Sequence, residues 1–124
     1  MDIQQNRIMR HIEKRYGCEP EYLWAKYPDY AVFRHPATKK WFAAFLGAPR
    51  NKLGLSGEDV TTVLNVKCSP LMIGSLLSEL GFLPAYHMNK NTWISILLDD
   101  SVSDDKIASL LELSYDSVAP KRKR

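Results

Sequence analysis

An imidazole, two carboxamides, an ammonium and an indole fall within the stretch 87–93: His87, Asn89, Asn91, Lys90 and Trp93. No other stretch of the chain gathers polar recognition groups so densely. A lysine can neutralise a phosphate, a histidine or asparagine can reach a phosphate or a base edge, and a tryptophan face can stack on a base. Lys67, Arg34, Lys39 and Lys40 add cations from segments expected to neighbour this stretch. These residues therefore form the candidate nucleic-acid-binding set. A purely structural reading competes with it, in which Asn89 and Lys90 build a turn, Trp93 joins the core and His87 bonds to backbone.

Other chemistries find less support. Cys68 precedes an expected helix start, which can lower a thiol pKa, and His87 could lie nearby. A single cysteine at a strand end is nonetheless explained as a small buried hydrophobe. His11, His35 and His87 lie far apart, and none has a second ligand at metal-binding spacing. Gly54, Leu55, Ser56 and Gly57 lack the spacing of a nucleophile elbow, and no phosphate-cradling glycine loop is present. Asp99 with Asp100 and Asp104 with Asp105 read as a strand exit and a helix start. No catalytic residue, metal site or cofactor is expected.

The 124 residues, 45% of them hydrophobic, suffice for one domain with one core, expected over residues 1–120. No run is long and apolar enough for a membrane span, and the first residues lack a secretory layout, so the cytoplasm is the expected compartment. Cys18 and Cys68 are expected to be reduced. The formal charge of +3 is uneven: Lys121, Arg122, Lys123 and Arg124 form a basic tail, expected to be disordered, and the other 13 basic residues face 14 acidic ones. Arg34, Lys39, Lys40, Arg50, Lys52 and Lys67 outnumber Glu58 and Asp59 in the middle third, whereas acids dominate the last element. A polyanion would have to meet a local patch.

The elements that must position these groups follow from periodicity. Asp2 and Gln5 approximate a capping box, and Ile8, Met9, Ile12 and Tyr16 recur at helical spacing up to Gly17. Residues 19–29 predict a connector with a short helical turn whose aromatics pack under a sheet. Strands are expected at 30–35, 40–46 and 60–67, with a long loop at 50–59. Ser69 and Pro70 begin a second helix, with Ile73, Leu76, Leu77 and Leu80 as its buried stripe and Gly81 as its stop. A hairpin follows, with arms at 83–87 and 92–98. Ser103 then caps a third helix whose Ile107, Leu110, Leu111 and Val118 face inward. The order α-β-β-β-α-β-β-α predicts an α+β domain: a five-stranded, mostly antiparallel sheet with helices packed on one face and the other face partly open.

Three blocks resemble the MmcQ/YjbR-like family of small bacterial proteins. They are Ala85, Tyr86, His87, Met88, Asn89, Lys90 and Trp93; Asn65, Val66, Lys67, Cys68, Ser69 and Pro70; and the 29–35 segment leading to Lys40, Trp41, Phe42 and Ala43. Ser114, Tyr115 and Asp116 fit the family's closing helix, and the resemblance runs over 22–120. It implies a fold in the group of frataxin-like (CyaY-like) and secretion-chaperone-like domains, and DNA binding as the expected role. Asn91 and Thr92 depart from the charged residue and histidine that many relatives place there. The expectation is a noncatalytic binding domain, monomeric or weakly homodimeric, with DNA as partner. The alternative is a protein- or peptide-binding module using the open sheet face or an edge.

Overall fold

The computed structural model describes residues 3–121. In chain order these form α1 (Gln4–Tyr16), β1 (Ala31–Arg34), β2 (Trp41–Pro49), a 3-10 turn (Arg50–Leu53), β3 (Val60–Lys67), α2 (Pro70–Leu76), β4 (Phe82–Pro84), β5 (Trp93–Leu97) and α3 (Asp104–Ser117). The five strands make one antiparallel sheet in the order β1-β2-β3-β5-β4. The expected element order and fold class are therefore present.

The register sorts side chains into two faces. Ala31, Phe33, Ala43, Phe45, Leu64, Val66, Ile94, Ile96 and Phe82 alternate onto the face covered by the helices, where they meet Ile8 and Ile12 of α1 and Ile107, Leu110 and Leu111 of α3. Ser69 and Ser103 cap α2 and α3 by accepting from the Met72 and Lys106 amides, as their sequence positions predict. α1 starts after Ile3 without a side-chain cap, and Asp2 lies outside the described residues. The expected contribution of residues 122–124 to a basic tail also lies outside them.

Three expectations need correction. α2 ends at Leu76, so Ile73 and Leu76 are buried while Leu77 and Leu80 are exposed. Gly81, at φ 93°, closes that turn against Val102, whose Cγ2 would lie 2.5 Å from any added Cβ. The 19–29 connector contains no helix. With Pro20 and Pro28 limiting backbone donors, Glu21 instead pairs with Val32 as an isolated bridge, and Trp24 and Tyr27 accept from the Tyr27 and Tyr30 amides in successive tight turns.

The third correction concerns the second sheet face, which is not open. Tyr30, Leu46, Val63 and Leu97 form a second buried cluster beneath Trp24 from the connector, Leu53 and Leu55 from the 50–59 segment, and Leu83 and Tyr86. Irregular chain covers this face because these aromatics and leucines have nowhere else to remove apolar surface from water. The sheet edges are also poor docking strands: Glu21 pairs onto β1, and β4 is three residues long and ends in proline.

The start of α1 is tied to the last loop. The buried Gln4 side chain donates to the Val102 carbonyl at 2.7 Å and to Asp104 at 2.8 Å, and accepts from the Asp100 amide at 2.9 Å. Arg7 bridges Asp100 and Asp104. The Arg7 guanidinium, and then Gln4, hold the Asp104 carboxyl below the usual carboxylate range. A depressed folded-state pKa stabilises the fold above the unfolded pKa, and that contribution is lost as pH falls through the folded value. Asp104→Asn is therefore expected to lower the urea midpoint at pH 7, and the gap to the parent protein should close on acidification below about pH 4. A gap independent of pH would assign Asp104 a purely steric role.

Candidate nucleic-acid interface at one end of the sheet

Antiparallel register decides which candidate residues meet. Arg34 ends β1, Trp41 begins β2, Lys67 ends β3, Trp93 begins β5, and Pro84 ends β4 just before residues 85–92. All of these lie at the same end of the sheet. The Lys39 and Lys40 turn joins β1 to β2 there, and His87, Asn89 and Lys90 lie in the loop joining β4 to β5. Lys67 and Trp93 are direct cross-strand neighbours. Arg50 and Lys52 of the central basic group are carried to the opposite end, where Glu58, Asp59, Asp99 and Asp100 also lie.

A β-bulge shapes this end. Phe33 faces Ala43 but Arg34 faces Trp41, leaving Phe42 as an extra residue. Phe42 consequently turns into the helix-side core, and Trp41 is delivered to the other face beside Arg34. The buried Ser114 of α3 accommodates the irregularity, donating to the Phe42 carbonyl at 2.6 Å and accepting from the Lys67 amide at 2.9 Å. Arg34 is partly committed: it pairs with Glu21 at 2.9 Å, donates to the Lys39 carbonyl, and lies 5.8 Å from the Trp41 ring centre. Lys39, Lys40, Lys67 and Lys90 form no ion pair with a described residue.

The expected hairpin forms between β4 and β5, but its first arm ends at Pro84 rather than His87, and residues 85–92 are a loop. Pro84 cannot donate to the ladder, and beyond it side chains of the sheet capture the backbone. Ser95 accepts from the Tyr86 amide at 2.9 Å, Asn65 donates to the Tyr86 carbonyl at 2.9 Å, and the Ser95 hydroxyl donates to the Asn65 side-chain oxygen. Asn65 and Ser95 are fully buried cross-strand neighbours. The chain then passes through His87 at φ 60°, a left-handed conformation that histidine tolerates better than most residues. Asn89 closes the loop, its side chain accepting from the Asn91 amide and its carbonyl from the Thr92 and Trp93 amides. Asn89 is thus a turn builder, whereas the exposed His87 side chain makes no hydrogen bond to a described residue and lies against the Tyr86 ring.

Two cavities flank these residues. The first, about 290 Å³, is lined by Trp24, Tyr27, Tyr30, Trp41, Leu46, His87 and Met88. Trp24 stands at 72° to both Tyr30 and Trp41, with ring centres 5.8 Å apart in each case, and Tyr27 stacks on Tyr30 at 4.7 Å. Of its lining residues, only His87 belongs to the candidate set read from sequence. The available signal was the aromatic density of residues 22–30, which periodicity assigns only to packing.

The second cavity, about 370 Å³, lies between the start of α2 and the last turns of α3 and includes Lys67, Cys68, Met72 and Leu113. Cys68 and His87 line different cavities, and burial raises the Cys68 thiol above its ordinary pKa against the smaller opposing effect of the Ser69 amide. Both observations disfavour a thiolate nucleophile. Among the described residues, no group of three or more histidine, cysteine, aspartate or glutamate side chains could hold a metal ion.

The pattern describing the YjbR family matches residues 14–117. The chain is 40% identical to the uncharacterized protein YyaQ of Bacillus subtilis (strain 168) over 113 residues, which is 91% of this chain and 96% of that one. A crystal structure of a Pseudomonas syringae protein, 37% identical, superposes with a TM-score of 0.90 over 96% of this chain and 100% of the other. A Deinococcus radiodurans protein, 18% identical, shares the fold with a TM-score of 0.67 over 92% of this chain and 82% of that one.

Truncating the polar network should loosen the loop it holds. Asn65→Ala removes the side-chain donor to the partly buried Tyr86 carbonyl and is expected to cost about 1–3 kcal/mol in urea denaturation. Ser95→Ala should, in addition, speed exchange of the Tyr86 amide measured by NMR. An unchanged exchange rate would show that the loop is held by other contacts.

Proposed function

The chain belongs to the YjbR family, and from the cations gathered at one end of its sheet we propose that it is a noncatalytic nucleic-acid-binding domain with DNA as its ligand. One observation carries this reading. The turns and strand ends that register brings together present Lys39, Lys40, Lys67 and Lys90 without ion-pair partners among the described residues. Unpaired lysines are free to displace counterions from phosphates, the main source of affinity in such complexes. His87 adds an imidazole that makes no hydrogen bond to a described residue, and the half-buried Trp93 offers a ring beside Lys67. Asn89 and Arg34 serve chiefly to shape the surface, since the Asn89 side-chain oxygen accepts from the Asn91 amide and Arg34 is paired with Glu21.

No helix of the described residues is long and apolar enough to cross a membrane. The cytoplasm is the location this reading proposes.

The protein-partner reading has its own observation, although not the open sheet face first expected for it. Leu71 is 89% exposed, Leu80 80% and Leu113 50%, an apolar set around α2 and α3. Ionic strength separates the two readings, since phosphate contacts weaken steeply with salt and apolar contacts do not.

Fluorescence anisotropy with labelled single- and double-stranded DNA, at low and physiological salt, tests the proposal on the chain with and without residues 121–124. Binding is expected to survive tail removal and to fall with salt. Lys67→Ala and Lys90→Ala should each reduce the salt slope by about 1 while leaving thermal unfolding unchanged. Binding that vanishes with the tail would remove the folded domain from the interaction.

A further inference from the structure

The cavity between the connector and the 85–92 loop has a composition that packing alone does not require. Trp24, Tyr27, Tyr30 and Trp41 bring four aromatic rings to its walls, with Met88 and Leu46 filling the gaps. Tyr27 is 46% exposed, and Trp24 and Trp41 are only partly covered. The walls are preorganised: the Tyr30 hydroxyl donates to the Gly47 carbonyl at 2.7 Å, the rings lock one another at fixed angles, and the Tyr86 network sets the position of His87. A volume of about 290 Å³ lies at the small end of ligand pockets, suited to one planar ring system rather than an extended ligand.

Charge selects among planar guests. Aromatic walls could receive an organic cation, but among the described residues no carboxylate lines this cavity, and the Arg34 guanidinium already lies 5.8 Å from the Trp41 ring centre. Lys40 directly precedes Trp41, Lys90 follows Met88 by two residues, and neither forms an ion pair with a described residue, so both cations are tethered within two residues of a wall. A flat uncharged ring carried between two anions complements this arrangement. In duplex DNA such a ring is stacked and out of reach, whereas in a single strand it is free to enter.

We infer that this cavity receives one unpaired base of a single-stranded nucleic acid, stacked against its tryptophan and tyrosine rings, while Lys40 and Lys90 hold the phosphates on either side. The inference rests on the nucleic-acid reading above and adds to it a preference for single strands and a second set of residues: Trp24, Tyr27, Tyr30 and Trp41.

The test uses the full chain and three labelled probes: a twelve-residue oligothymidylate, a strand of equal length and charge in which abasic units replace every base, and a duplex of the same length. At low salt the oligothymidylate is expected to bind about tenfold tighter than the abasic strand, and tighter than the duplex. Tyr27→Ala, at an exposed position, and Trp24→Leu, checked for folding by circular dichroism, should each erase the preference over the abasic strand while leaving abasic binding in place. Lys67→Ala should weaken both single strands alike. Equal affinity for the oligothymidylate and the abasic strand, a tighter duplex, or an undiminished preference in Tyr27→Ala would overturn the base pocket and leave the phosphate-binding reading standing. Absence of binding to all three probes would overturn both.

Discussion

Two buried polar side chains hold the loop on which this surface depends. Asn65 and Ser95 sit opposite each other on the central strands β3 and β5, and together they satisfy the amide and carbonyl of Tyr86. A backbone unit lying over the buried Asn65 and Ser95 needs such partners, because an unpaired buried donor or acceptor costs more than a hydrogen bond gains. Their placement decides where the chain leaves β4, how it turns through the left-handed His87, and that His87 and Met88 reach the cavity built by Trp24 and Trp41. An apolar pair at these positions would pack as well but would leave the loop without an anchor.

The same economy operates at the β-bulge. One extra residue in β2 reverses the side-chain alternation, so Phe42 enters the helix-side core and Trp41 joins Arg34 on the other face. Ser114 of α3 meets both the Phe42 carbonyl and the Lys67 amide. The helix layer thus takes part in shaping the surface on the far side of the sheet, through backbone positions rather than direct contact.

Charge follows the strand ends. The β1–β2 turn and the β4–β5 loop carry Lys39, Lys40 and Lys90 to one end of the sheet, while Glu58, Asp59, Asp99 and Asp100 flank the other, where Gln4 and Arg7 tie α1 to Asp100 and Asp104. With the domain near neutral apart from its tail, this placement gathers lysines at one end that net charge does not reveal, while Arg50 and Lys52 lie among the acids of the other. The three-residue edge strand β4 and the Glu21 bridge onto β1 limit strand addition at both sheet edges.

Local chemistry in the sequence determined the helix caps at Ser69 and Ser103, the left-handed stop at Gly17, the full extent of β3, and hence the order of elements and the fold class. These signals act over a few residues, so they survive without knowledge of partners. The lysines and His87 were visible as chemistry, though not as neighbours. Only the tertiary structure decided that the second face is covered, since aromatics in an irregular connector carry no period that names their target. It also decided that Leu77 and Leu80 are exposed, that Phe42 is the bulged residue, and that Asn65 and Ser95 anchor Tyr86. Each of these depends on which strand lies beside which, a relation between distant residues that no local pattern encodes.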